Sequence, residues 1–121
     1  MTLTTAVREA MQGKPEQIQP GVNKAEFVFS ETFAGFAGHF SNNPILPGIA
    51  QIIAAALTAH PDGPSHIRQI RGSKFVSLVR PGEIMTVEAR FSEAEGNTLV
   101  NAECYTNNGV CAKIKLVLTL S

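Results

Sequence analysis

Residues 47–60, PGIAQIIAAALTAH, constrain the fold more than any other stretch. Pro47 suits the first turn of a helix, where its missing N–H costs nothing. From Gly48 to Ala59 only Gln51 and Thr58 are polar. A helix that is apolar on every side is expected to be buried on every side, so other elements must surround it. The segment His60-Pro61-Asp62-Gly63-Pro64 stops it, because proline disfavours helical geometry in its predecessor.

The chain after this helix changes its apolar period from 3.6 to 2. Met85, Val87, Ala89 and Phe91 alternate with Thr86, Glu88 and Arg90, and Val100, Ala102 and Cys104 alternate with Asn101, Glu103 and Tyr105. Ala112, Ile114, Leu116, Leu118 and Leu120 share one side of a last strand, opposite Lys113 and Lys115. EGN at 95–97 and NNG at 107–109 supply hairpin turns, and RPGE at 80–83 supplies another. Residues 66–79 read as a long strand with Gly72 at a bulge, and residues 25–30 as a brief one with Phe27 and Phe29 on one face. TTAVREAM near the start suits a short helix, capped by threonine and ended near Gly13 and Pro15. The pattern predicts an α+β fold in which a curved antiparallel sheet wraps around one long central apolar helix.

At 121 residues the chain fits a single domain, residues 1–121. Charged residues are only 17% of it, which predicts that some apolar surface meets another subunit. Ten Lys and Arg balance ten Asp and Glu without a run of one sign, which leaves nucleic-acid binding no electrostatic basis. A neutral or small-molecule ligand fits better. The N-terminus lacks a basic start followed by an apolar signal core, and no apolar run approaches the roughly 20 residues that span a bilayer, so a cytoplasmic location without a membrane partner is expected. Cys104 and Cys111 flank a turn with no Cys or His cluster around them, so buried free thiols are expected and no metal site. His60 and His66 bracket a Pro/Gly loop without metal or triad spacing and read as surface residues.

One stretch carries chemistry. GHFSNNPILPG at 38–48, placed before an apolar helix, resembles the Gly-His-Phe-Pro-x-x-Pro-x-x-Pro-Gly signature of the 3-hydroxyacyl-[acyl-carrier-protein] dehydratases of fatty-acid biosynthesis. The resemblance covers roughly residues 24–121, since KFVSLVRPGEIMTVEARF is similar to that family's strand, Pro-Gly turn and following strand. LPGIAQI is similar to LPGVAQI of the aryl-polyene dehydratase branch. The resemblance implies the hotdog fold, a hydro-lyase acting on acyl thioesters, and a homodimer or a higher oligomer of dimers. It also implies a site built from one subunit's histidine loop and the other subunit's helix. The substrate would be carried on phosphopantetheine, by acyl carrier protein or coenzyme A, with no separate cofactor.

Carried over residue by residue, the resemblance makes His39 the catalytic base. The oxyanion and substrate-binding set is then Gly48, Phe40, Gln51 and Pro47. The reaction removes a C2 proton, stabilises an enolate on the thioester oxygen and protonates the departing hydroxyl. Imidazole titrates near neutral pH and suits the first task. Amides at a helix start, Gly48 first, suit the second. The family's acid lies fourteen residues after its histidine, and that position here is Ile53, which donates no proton. Gln51 is two residues away, about 200° around a helix, so it does not inherit the direction of Ile53. It reads equally as a ligand-facing amide or as a group satisfying backbone across a dimer interface.

A missing general acid costs about two to four orders of magnitude in rate. Either another group supplies the proton, with His39 itself and Tyr105 as candidates, or the chain is a catalytically weakened acyl-binding or partner subunit. Acyl thioesterase chemistry is the lesser alternative, since the helix lacks a carboxylate to activate water. Arg68, Arg71, Lys74 and Arg80 fall near the tunnel mouth of such a fold, where they would meet phosphopantetheine phosphate or an acidic carrier; for any one of them alone, an ordinary solvated strand edge is the stronger reading.

Overall fold

The computed structural model describes residues 2–33, 45–62 and 65–119. The described residues form the strands β1 (Glu16–Gln19), β2 (Val22–Val28), β3 (His66–Phe75), β4 (Ile84–Ala94), β5 (Asn97–Thr106) and β6 (Gly109–Thr119), of which β2 to β6 answer the predicted segments. They form one antiparallel sheet in the order β1-β2-β4-β5-β6-β3. Among the described residues two helices accompany it, α1 (Leu3–Ala10) and α2 (Gly48–Ala59).

Register follows from the apolar pattern. Val87 lies opposite Cys104 and Cys104 opposite Ala112, while Ala89 meets Ala102 and Ala102 meets Ile114. All of these are buried, so one continuous apolar face spans β4, β5 and β6. The helix α2 packs on this face, touching β2 through β6 and α1. Ala50, Ala54 and Ala55 on the helix and Ala89, Ala102 and Ala112 on the sheet are all buried, and their small size permits a close approach. Thr58 joins the core because its hydroxyl donates to the Ala54 carbonyl one turn back, at 2.8 Å. Phe27 and Phe29 share the inner face of the strand and its exit, with rings 6.1 Å apart and nearly parallel.

The turns use the expected chemistry. Gly82 of Arg80-Pro81-Gly82-Glu83 has φ +84°, a conformation glycine adopts without strain. Its N–H donates to the Phe29 carbonyl at 2.9 Å, which ties this turn to the end of the β2 chain.

Three expectations need correction. The apolar helix has 12 residues, an ordinary length rather than a long one, because Pro61 follows its C-cap His60 directly. It is not buried on every side: Ile49 is 48% exposed, and Ile53, one turn on, is only partly buried. The strand expected over 66–79 ends at Phe75, where the backbone N–H groups of Val76 and Ser77 both turn to the Cys111 carbonyl. The sheet also contains β1, which the apolar pattern did not predict, since all four of its residues are exposed at an edge. Among the described residues no helix is long and apolar enough to cross a membrane.

Candidate active site at the start of the apolar helix

The candidate site centres on the first turn of α2. Pro47 is its N-cap residue, in extended geometry, and among the described residues no side chain caps the turn. The amides of Gly48 and Ile49 therefore have no acceptor within the helix, and the positive end of the helix dipole lies beside them. This is the arrangement needed to hold a developing oxyanion. A backbone bond from Leu46 N–H to the Val79 carbonyl, 2.9 Å, fixes the entry into the helix.

Gly48 has a packing role as well. A β-carbon there would stand 2.8 Å from the Phe75 ring, so the aromatic ring is seated on the glycine and leaves no room for a side chain. Phe75 ends β3, and its seat over Gly48 was not legible from the sequence pattern.

Gln51 and Ile53 point in different directions, as helical geometry requires. Gln51 is buried, and its Oε1 accepts from the Cys111 thiol of β6 at 3.9 Å. Its carboxamide oxygen thus finds a partner within its own chain. Ile53 falls in line with exposed Ile49, four residues earlier, on the open side of the helix. Tyr105 follows fully buried Cys104 on β5, and strand alternation sets it on the outer face, away from α2. His39 and Phe40 lie outside the described residues.

The other polar candidates scatter along an edge. Arg68 donates to the Asn97 side chain at 3.3 Å and Arg71 to Gln69 at 3.4 Å, both exposed on β3. Lys74 is exposed on the same strand, and the Arg80 N–H donates to the Glu83 carboxylate within its turn. His60 caps α2 and His66 opens β3. Among the described residues no three His, Cys, Asp or Glu side chains gather as a metal site would require.

Both cysteines are free and buried. Burial is the largest influence on each: it raises the Cys111 thiol to about 11 and pushes the Cys104 thiol up as well, with the neighbouring Cys111 adding to the latter. Both thiols therefore stay protonated in the folded protein at neutral pH. The sign for stability follows from linkage. Below pH about 9 folded and unfolded chains hold the same thiol protons, and above it the unfolded chain ionises first. Stability is expected to fall as pH rises from about 9 to 11, measured as the urea midpoint, and a Cys104→Ala/Cys111→Ala double variant should lose much of that slope.

Comparison with known proteins now bears on this arrangement. The family model described as ApeI dehydratase, of the ApeI-like family, matches residues 15–115. The chain belongs to the ApeI-like dehydratase family. Relatives of this ApeI-like protein include the 3-hydroxyacyl-[acyl-carrier-protein] dehydratase FabZ of Thermomicrobium roseum, 35% identical over 51% of this chain. That match spans 48% of the relative's length, so the chain covers about half of it. FabZ of Ligilactobacillus salivarius is 29% identical over 78% of this chain and 74% of its own. Among solved structures, the dehydratase heterocomplex ApeI:P from Xenorhabdus doucetiae superposes with a TM-score of 0.71 at 24% identity, covering 87% of this chain and 93% of the other. The uncharacterized protein PH1136 from Pyrococcus horikoshii gives 0.67 at 18% identity, over 90% and 82%. The family is that of FabZ-like hotdog dehydratases, including the ApeI branch.

Proposed function

We propose that the protein is the base-bearing subunit of a 3-hydroxyacyl-thioester dehydratase, one that removes water to give a 2-enoyl thioester and takes its acid from a second hotdog chain. His39 removes the C2 proton. The Gly48 amide at the start of α2 holds the thioester oxygen as negative charge develops there. The hydroxyl on C3 leaves as water once an acid from the partner protonates it.

The observation that carries this reading is the position of Ile53 on the open side of the helix. Where each site joins one subunit's histidine loop to the other's helix, a homodimer of this chain has two sites, each with an isoleucine where the acid belongs. Paired with an acid-bearing chain, it has one complete site, His39 facing the partner's acid, and one incomplete site. A heteromeric dehydratase among the related folds supports such pairing. The exposed apolar residues Ile67, Ile70 and Phe75 along edge strand β3, beside Ile49 of α2, supply surface for a dimer of either kind. The carrier is acyl carrier protein, as named for the relatives, or coenzyme A.

The purified protein alone, given 3-hydroxybutyryl-coenzyme A in deuterated water, should exchange the C2 proton while eliminating water about two to four orders of magnitude more slowly than a complete dehydratase. Dehydration at full rate by the protein alone would sink the acid-partner reading. Neither exchange nor binding would remove the dehydratase reading altogether.

A further inference from the structure

The strand β6 contains one residue too many. Cys104 of β5 pairs with Ala112 and Tyr105 with Val110, which leaves Cys111 as the unpaired residue of a β-bulge. A bulge breaks the alternation, so Cys111 and Ala112, adjacent in sequence, are both fully buried. At the bulge the Cys111 carbonyl faces the end of β3 and accepts the N–H groups of Val76, at 2.9 Å, and Ser77, at 3.4 Å. The Ser77 hydroxyl closes the junction on the Val110 carbonyl at 3.2 Å.

Two consequences converge on the first turn of α2. The bulge fixes the end of β3, where the Phe75 ring is seated on Gly48. It also turns the Cys111 thiol onto Gln51, which lies three residues after Gly48 and so on the same face of the helix. A thiol that stays protonated is a donor, and sulfur accepts only weakly, so it selects the carboxamide oxygen of Gln51 over its nitrogen. With the oxygen turned to the thiol, the two N–H groups of Gln51 face away from Cys111 and keep their donor capacity.

We infer that Cys111 is a positioning residue for the acyl-thioester site, holding the Gln51 carboxamide so that its N–H edge serves as a donor to the polar end of the substrate beside the Gly48 amide. The inference rests on the thioester-site reading above and adds to it the sign of Gln51: a donor, whose orientation a buried thiol sets.

The test uses crotonyl-coenzyme A binding and C2-proton exchange of 3-hydroxybutyryl-coenzyme A with the full chain. Cys111→Ala is expected to weaken binding and raise KM about 3- to 10-fold, the scale of one neutral hydrogen bond, with a smaller change in kcat for exchange. Cys111→Ser keeps a donor and should restore affinity to within about twofold. Gln51→Met, which keeps length and removes the amide, should match Cys111→Ala, and combining the two should add nothing further. Unchanged affinity in folded Cys111→Ala, or additive losses in the double variant, would overturn the inference. If Cys111→Ala does not fold, Gln51→Met decides: unchanged affinity in that variant overturns it and a 3- to 10-fold loss supports it. Failure of the unaltered chain to bind the thioester overturns the site reading itself, and this inference with it.

Discussion

His39→Ala should lower C2-proton exchange by the protein alone about two to four orders of magnitude, the contribution of a positioned general base. The loss should be confined to chemistry. Binding of crotonyl-coenzyme A, which draws on the helix-start amides and the apolar lining, should change little, so kcat falls and KM holds. Added imidazole should recover part of the exchange in the variant, because the space vacated by the ring admits a small base. Unchanged exchange would show that another group takes the proton and would remove the central residue of the proposed site. The experiment does not depend on the missing acid, since enolate formation precedes departure of the hydroxyl and needs only a base and an oxyanion donor.

The parts of the molecule that were legible in the sequence are those where burial and periodicity coincide. The strand β5 alternates cleanly because one face is core and the other wet, β4 and β6 do so over part of their length, and each turn between them carries a glycine or asparagine suited to it. The bounds of α2 were legible for the same reason, set by Pro47 and Pro61. Three features were not. The strand β1 is exposed throughout, so its residues carry no apolar period. The open stripe at Ile49 and Ile53 is hidden in an all-apolar run, since composition cannot distinguish a face that meets the core from one left for another subunit. The bulge at Cys111 adds a residue that the period-2 pattern absorbs unnoticed, because Cys111 and Ala112 are both apolar. Within the candidate site, His39 and Gly48 announce themselves through a motif, whereas Phe75 and Cys111 matter only through contacts made across the fold.

The missing acid gives the strongest test, because it predicts a gain rather than a loss. Ile53→Glu should raise dehydration of 3-hydroxybutyryl-coenzyme A by the protein alone about two to four orders of magnitude, the reverse of removing a general acid. The position tolerates the change better than a core site would: Ile53 is only partly buried and shares the open side of the helix with Ile49, so the carboxylate need not enter the sheet core. Its pH dependence identifies the mechanism. A carboxyl that donates to the leaving hydroxyl must be protonated, so the gain should shrink as pH rises above that carboxyl's pKa, while C2-proton exchange, which needs only the base, should not shrink with it. Two controls separate acid catalysis from repacking. Ile53→Gln has similar size and polarity but donates no acidic proton, and Ile49→Glu places the same carboxyl one turn away; neither should accelerate dehydration. Equal gains in these controls, or none in a folded Ile53→Glu variant that still binds the thioester, would mean that the loss of an acid is not what limits this chain. A selective gain would establish that the pocket of a complete dehydratase persists around Ile53, and that a second subunit has only to supply one proton donor at that place.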